Sequence, residues 1–226
     1  MWDSLVRVFS GGQNVLRLME GLWATLYISA ASVAMSLVFG LIVGLMMLSE
    51  RRWLRAATRL YLETVRIIPV LTFLFLLYYL LSRTFHVSLS SLSVALLAFT
   101  VWGTAETADL VRGAFASIPK HQRESGLAIG LTETQVSLLV VAPQAARRLL
   151  PGIINLVTRM IKTTPLVFFI GIPELVTVSQ QVAELAAARQ NRLAAFWVFG
   201  AAMGIYFLVC FPISKLARIM EERYRF

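Results

Sequence analysis

Apolar residues run in five blocks along this chain, each bounded by charged clusters. Leu22–Leu48 is uncharged over 27 residues, and a bilayer core takes ~20 helical residues. Ile67–Ser82 is also uncharged, and extending it back to Thr58 predicts a span over 58–82 whose first turns carry Arg59, Glu63 and Arg66. Further spans are predicted over 88–112, 149–173 and 193–214. The third carries Glu106 and Asp109 near its end, the fourth is interrupted by Arg159 and Lys162, and the fifth is uncharged. Val136–Ala142 is apolar but too short to cross, and Pro143 is expected to stop it. Ahead of the first span, Trp2, Leu5, Val6 and Phe9 recur at helical spacing up to Gly11-Gly12. That segment fits an interfacial amphipathic helix or, equally, a frayed end.

Charge then sets the topology. The first connection holds Arg51, Arg52, Arg55 and Arg59 against Glu50, and the second only Arg83. The third holds Lys120, Arg123, Arg147 and Arg148 against Glu124 and Glu133. In the fourth, Arg189 and Arg192 accompany Glu184, and the tail carries Lys215, Arg218, Arg223 and Arg225. Rich and poor connections alternate, so the positive-inside rule puts the N-terminus outside and the third connection and C-terminus in the cytoplasm. Composition agrees with a single all-α, polytopic membrane domain over 1–226: 58% hydrophobic, 15% charged, mean hydropathy +0.74. The net charge of +9 is therefore read as topology, with lipid rather than nucleic acid as the surrounding partner.

The third connection, over 117–143, has its own punctuation. Ser117-Ile118-Pro119 supplies a capping side chain and an early proline. A helix Lys120–Ile129 is expected to end at Gly130 in a left-handed conformation. Thr132 with Gln135 three residues on reads as a capping box that starts a second helix. The pattern predicts helix, corner and helix on the cytoplasmic face, which fits a docking element or an ordinary amphipathic connector.

Chemistry-bearing residues are sparse. One cysteine and two histidines make a His/Cys metal site improbable, and no P-loop or hydrolase motif is present. Small residues form a ladder at Ser36, Gly40 and Gly44, and again at Gly200 and Gly204, which predicts close helix packing within or between subunits. Arg66 and Pro69 read as a snorkelling side chain beside a proline kink. Ionisable groups inside a membrane are costly. Glu106 lies about 9 Å from Arg112 along its helix, and Arg159 about 15 Å from Leu149. Those depths allow a Glu106–Arg159 pair, leave Asp109 too shallow to join it, and leave Lys162 without an evident partner. The four charges fit a structural network between spans three and four, or a candidate substrate pathway.

Several stretches in register resemble one family. Glu124-Ser125-Gly126, then Gly130, then Val140-Val141-Ala142-Pro143 match the spacing of the E-A-A…G…I-x-L-P loop of ABC importer permeases. The flanks "DLVRGAFASIPKHQRESG" and "PQAARRLLPGIINLVTRMIKTTPLVFFIGIPEL", with "YLETVRIIPVL" upstream, resemble the polar amino acid branch. Ser125 and Gly126 replace two alanines; Glu106 stands where that branch usually has an aromatic, and Asp109 where it has Glu.

The resemblance implies a type I ABC importer permease fold with five transmembrane helices in the bacterial inner membrane. It also implies a cytoplasmic coupling helix over Glu124, Ser125, Gly126, Ala128 and Gly130, followed by Pro143. That helix would dock in a groove on a separate ATPase subunit, its small residues allowing close approach. Further implied partners are a second permease subunit, identical or homologous, and an extracytoplasmic substrate-binding protein. This chain would bind no cofactor; ATP and Mg would belong to the ATPase. The rival reading is a self-sufficient ion-coupled carrier, which should show inverted repeats and would not need a docking loop. A membrane-embedded enzyme lacks catalytic residues here.

Overall fold

The computed structural model describes residues 6, 8–10, 12–83, 89–188, 191 and 193–223. Its principal helices are α1 (Gln13–Met47), α2 (Arg52–Ile67), α3 (Val70–Arg83), α4 (Ser91–Ala116), α5 (Lys120–Ala128), α6 (Glu133–Gln135), α7 (Ala142–Thr163), α8 (Leu175–Ala188) and α9 (Ala194–Arg223). A π-helical turn, Val136–Val141, joins α6 to α7, and a 3-10 turn, Thr164–Ile170, follows α7. Among the described residues, four continuous helical stretches are long and apolar enough to cross a membrane: Gln13–Met47, Ser91–Ala116, Glu133–Ile170 and Ala194–Arg223. The second expected span is not one rod. It is α2 and α3, bent by 101° at their junction. Pro69 has no N–H and bars the residue before it from helical geometry, so Ile68 is extended at φ −73°, ψ 125°. The kink expected from sequence is a full break.

Two further expectations fail around prolines and serines. Pro143 does not stop a helix: it sits in the first turn of α7, and the helix runs through it. A π-helical turn, Val136–Val141, stands just before it, where the helical ladder is already irregular. Gln144 Nε2 donates to Val140 O at 2.9 Å and satisfies one freed carbonyl. Ser117 does not cap α5, whose N-cap is Pro119 with no side-chain bond. Its Oγ instead donates to Ala114 O at 2.7 Å, closing the end of α4.

The chain divides into two compact units, Met1–Ser32 with Val70–Ala98 and Arg159–Pro212, and Val33–Pro69 with Phe99–Thr158 and Ile213–Phe226. The first has an apolar core of Leu18, Leu175, Val178, Val182, Ala194 and Val198. Three of these come from α8, a helix not foreseen in the fourth connection although its apolar residues recur at helical spacing. At 14 residues it is ~21 Å long, short of a bilayer core. Glu174 lies fully buried at its start. The carboxylate accepts from the N–H of Val176 (2.9 Å) and Thr177 (2.7 Å) and from the hydroxyls of Thr177 and Tyr206, so helix amides satisfy the charge. Trp2, Leu5 and Gly11 lie outside the described residues. Of the expected N-terminal apolar face, Val6 is exposed and Phe9 partly buried, while Val8 enters the core.

In the second unit the first small-residue ladder packs α1 onto α4. Ser36 Oγ donates to Thr100 O at 3.3 Å. A Cβ at Gly40 would lie 3.1 Å from Thr104 O, and one at Gly44 would lie 3.0 Å from Ala108 O, so glycine is what allows the two backbones to approach. Gly200 and Gly204 differ: a Cβ at either would meet nothing within 4 Å.

Candidate functional site

The third connection forms the expected helix, corner and helix. Helix α5 ends in a Schellman motif: Leu131 N–H donates to Gly126 O (3.2 Å) and Gly130 N–H to Leu127 O (3.0 Å). Gly130 carries the required left-handed backbone at φ 90°. Thr132 and Gln135 form the reciprocal capping box, Gln135 N–H donating to Thr132 Oγ1 and Thr132 N–H to Gln135 Oε1. Arg123 Nη2 meets Glu133 Oε2 at 2.7 Å across the corner, although both side chains are more than half exposed, so the pair adds little stability. Arg148 Nη1 reaches back to Ser117 O at 2.7 Å and ties α7 to the entry of the segment.

Burial within this element separates its residues. Glu124, Ser125 and Ala128 are exposed, and Glu124 makes no side-chain hydrogen bond or ion pair among the described residues. Ile129 (79% exposed), Leu138 (66%) and Leu127 add an apolar tip. Gly126, by contrast, is buried by its own chain. A Cβ there would stand 2.9 Å from Val136 Cγ2, and Val136 is fully buried. The smallness of residue 126 therefore has an intramolecular cause, where the sequence suggested contact with a partner.

The charged residues of span three have a partner that sequence reasoning gave another role. Arg66 does not snorkel. The break after α2 leaves it beside α4, where its Nε lies 3.4 Å from Glu106 Oε1 and its Nη1 lies 2.8 Å from Asp109 Oδ2. Arg112 Nη2 holds the other Asp109 oxygen at 2.6 Å. Asp109 is thus a bridge between two arginines, and Glu106 is the most buried member of the cluster. The signal available in the sequence was the adjacency of Arg66 to Pro69, which announces a turn of the backbone. Arg159 and Lys162 belong to the other unit, near the end of α7, where both are exposed.

Comparison with known proteins then places the chain. Residues 36–226 match the family described as the binding-protein-dependent transport system inner membrane component. A glutamate transport system permease protein of Corynebacterium glutamicum is 32% identical over 92% of this chain and 75% of its own length. A probable glutamine ABC transporter permease protein of Bacillus subtilis is 31% identical over 93% of this chain and 95% of its own. The crystal structure of an amino acid ABC transporter with histidines superposes at a TM-score of 0.83 with 26% identity, covering 95% of this chain and 97% of that one. Inward-facing conformations of a methionine ABC transporter share the fold at a TM-score of 0.69 and 19% identity. A family match over residues 36–226, on an all-helical fold, makes this chain a member of the binding-protein-dependent transport system inner membrane component family.

Proposed function

We propose that this permease subunit passes polar amino acids from an external binding protein across the inner membrane, driven by a separate ATPase that docks on Glu124–Gly130. Family membership implies ATPase and binding-protein partners; the amino-acid class follows from relatives named for glutamate, glutamine and cystine. The observation that carries the docking assignment is the doubly capped corner at Gly130, presenting Glu124, which has no side-chain partner among the described residues, beside exposed Leu127 and Ile129. ATP and Mg act in the partner, so this chain contributes a lever and a pathway. The N-terminus lies outside and the C-terminus in the cytoplasm, because the docking segment must face the ATPase.

A second permease subunit completes the pathway. Gly200 and Gly204 support this, since a Cβ added at either would meet no atom of the described residues within 4 Å. The pathway reading assigns Glu106 and Asp109, with Arg66, as polar groups along α4, and adds Arg159 and Lys162 from their exposure. The docking assignment is tested by disulfide or maleimide cross-linking. In a Cys210→Ala background, Ile129→Cys should cross-link to the ATPase, while Leu185→Cys, also exposed on α8, should not. Failure at Ile129 in an assembled complex removes the docking assignment.

A further inference from the structure

The groove between α2 and the C-terminal end of α4 encloses about 670 Å³, within the ~300–1,000 Å³ of small-molecule sites. Four arginines line it, Arg55, Arg59, Arg66 and Arg112, against two carboxylates, Glu63 and Asp109. The carboxylates are already engaged. Arg59 holds Glu63 at 3.1 Å, and Arg66 and Arg112 share Asp109. Arg55 has no side-chain hydrogen bond or ion pair among the described residues. Among the described residues, the groove therefore keeps one arginine, Arg55, that no carboxylate engages.

The surroundings identify the kind of anion. Arg55 stands one turn into α2, just past the turn that ends the apolar helix α1 at Met47, hence at the boundary of the hydrocarbon layer. Met47 and Ala56 give that end of the groove an apolar wall. Trp53 (64% exposed) and Leu60 (68% exposed) lie seven residues apart on one face of α2. An exposed Trp at that depth is an interfacial anchor, and basic residues on an amphipathic helix beside a span attract anionic headgroups. Guanidinium forks match phosphate oxygens in pairs.

We propose that this groove holds the phosphate of an anionic phospholipid, with Arg55 and Arg59 on the phosphate and Met47 and Ala56 against the glycerol backbone. A free phosphate ion would use the arginines but not the apolar wall, and Trp53, outside the groove's lining, marks only the depth of that end of α2. The site is separate from the coupling segment, and it requires only that the chain spans a membrane.

The test uses the permease assembled with its ATPase in phosphatidylcholine nanodiscs. Dibrominated phosphatidylglycerol or dibrominated phosphatidylcholine is added as quencher, and the Trp53 contribution is the difference from a Trp53→Phe complex. Phosphatidylglycerol should quench Trp53 more strongly than phosphatidylcholine does. Arg55→Gln should reduce that preference roughly fivefold, the usual share of one charge at a lipid surface, and Arg55→Lys should keep most of it. An unchanged preference in Arg55→Gln overturns the proposal. Displacement of the brominated phosphatidylglycerol by inorganic phosphate also overturns it, showing a site for the free ion. Because Arg55 is exposed, both variants should assemble, and quenching is read only on complexes that retain their ATPase.

Discussion

Gly126→Ala sets two effects of known size against each other in α5. The new Cβ would lie 2.9 Å from Val136 Cγ2 and 3.4 Å from Cγ1. Carbon atoms rest ~3.5–4.0 Å apart, so Val136 must retreat by roughly half an ångström or more. It is β-branched, fully buried and part of the π turn, so it has little freedom to do so. Overpacking of this kind costs about 1–3 kcal/mol. Against it, alanine gains up to ~1 kcal/mol over glycine in a helix. Gly126→Ala should therefore be a net loss of about 0–2 kcal/mol.

Gly113 supplies the internal control. It is also helical, in α4, but a Cβ there meets nothing within 4 Å. Gly113→Ala should stabilise by the propensity gain alone, so the two variants differ by the packing cost of about 1–3 kcal/mol. Thermal unfolding of the purified complex reads this as ~2–4 °C for each kcal/mol in a chain of this size. Val136→Ala removes the obstruction, and in that background Gly126→Ala should become neutral or favourable. Equal loss in both backgrounds, or no difference between Gly126→Ala and Gly113→Ala, would refute the reasoning. Residue 126 would then face a partner, as its place in the loop first suggested.

Other consequences are simpler to state. Gly130→Val forces a β-branched residue into φ 90° at a cost of at least ~1 kcal/mol; the protein should insert but lose substrate-stimulated ATPase activity, Gly130→Asn should retain most of it, and full activity in the valine variant would contradict the corner. Replacing Arg66 with Met should cost ~1–3 kcal/mol by taking one partner from each of Glu106 and Asp109, and adding Glu106→Gln should recover part of that in thermal unfolding; strict additivity would mean the 3.4 Å contact carries no energy. Gly204→Trp should prevent assembly with the second permease while leaving the single chain folded, and normal assembly would remove α9 from that interface.

Much of this was legible because membranes impose long apolar runs and because caps use few residue types. The all-helical membrane character, the Gly130 corner and the Thr132–Gln135 box followed from local chemistry, whereas the second apolar run is a broken pair of helices. What escaped depends on where a side chain ends up after the backbone turns. Pro69 announces an irregularity, but only the fold says that the helix breaks there and that Arg66 lies against Asp109. Pro143 was misread because a π turn stands just before it, and periodicity does not reveal a π turn. Gly126 looked like a docking surface because spacing cannot show that Val136 folds back over it. Helix α8 was hidden by a polar run of Ser179, Gln180 and Gln181, though Leu175, Val178 and Val182 carried its period.

The account stands or falls on whether this chain needs an external motor. Proteoliposomes containing the permease alone, under an imposed proton or sodium gradient, are compared with the complete complex supplied with binding protein, ATP and Mg. Radiolabelled glutamine and glutamate uptake is measured in both. Uptake is predicted only in the complete complex, and it should vanish when the ATPase is omitted. Gradient-driven uptake by the permease alone would contradict the account and point to a self-sufficient carrier.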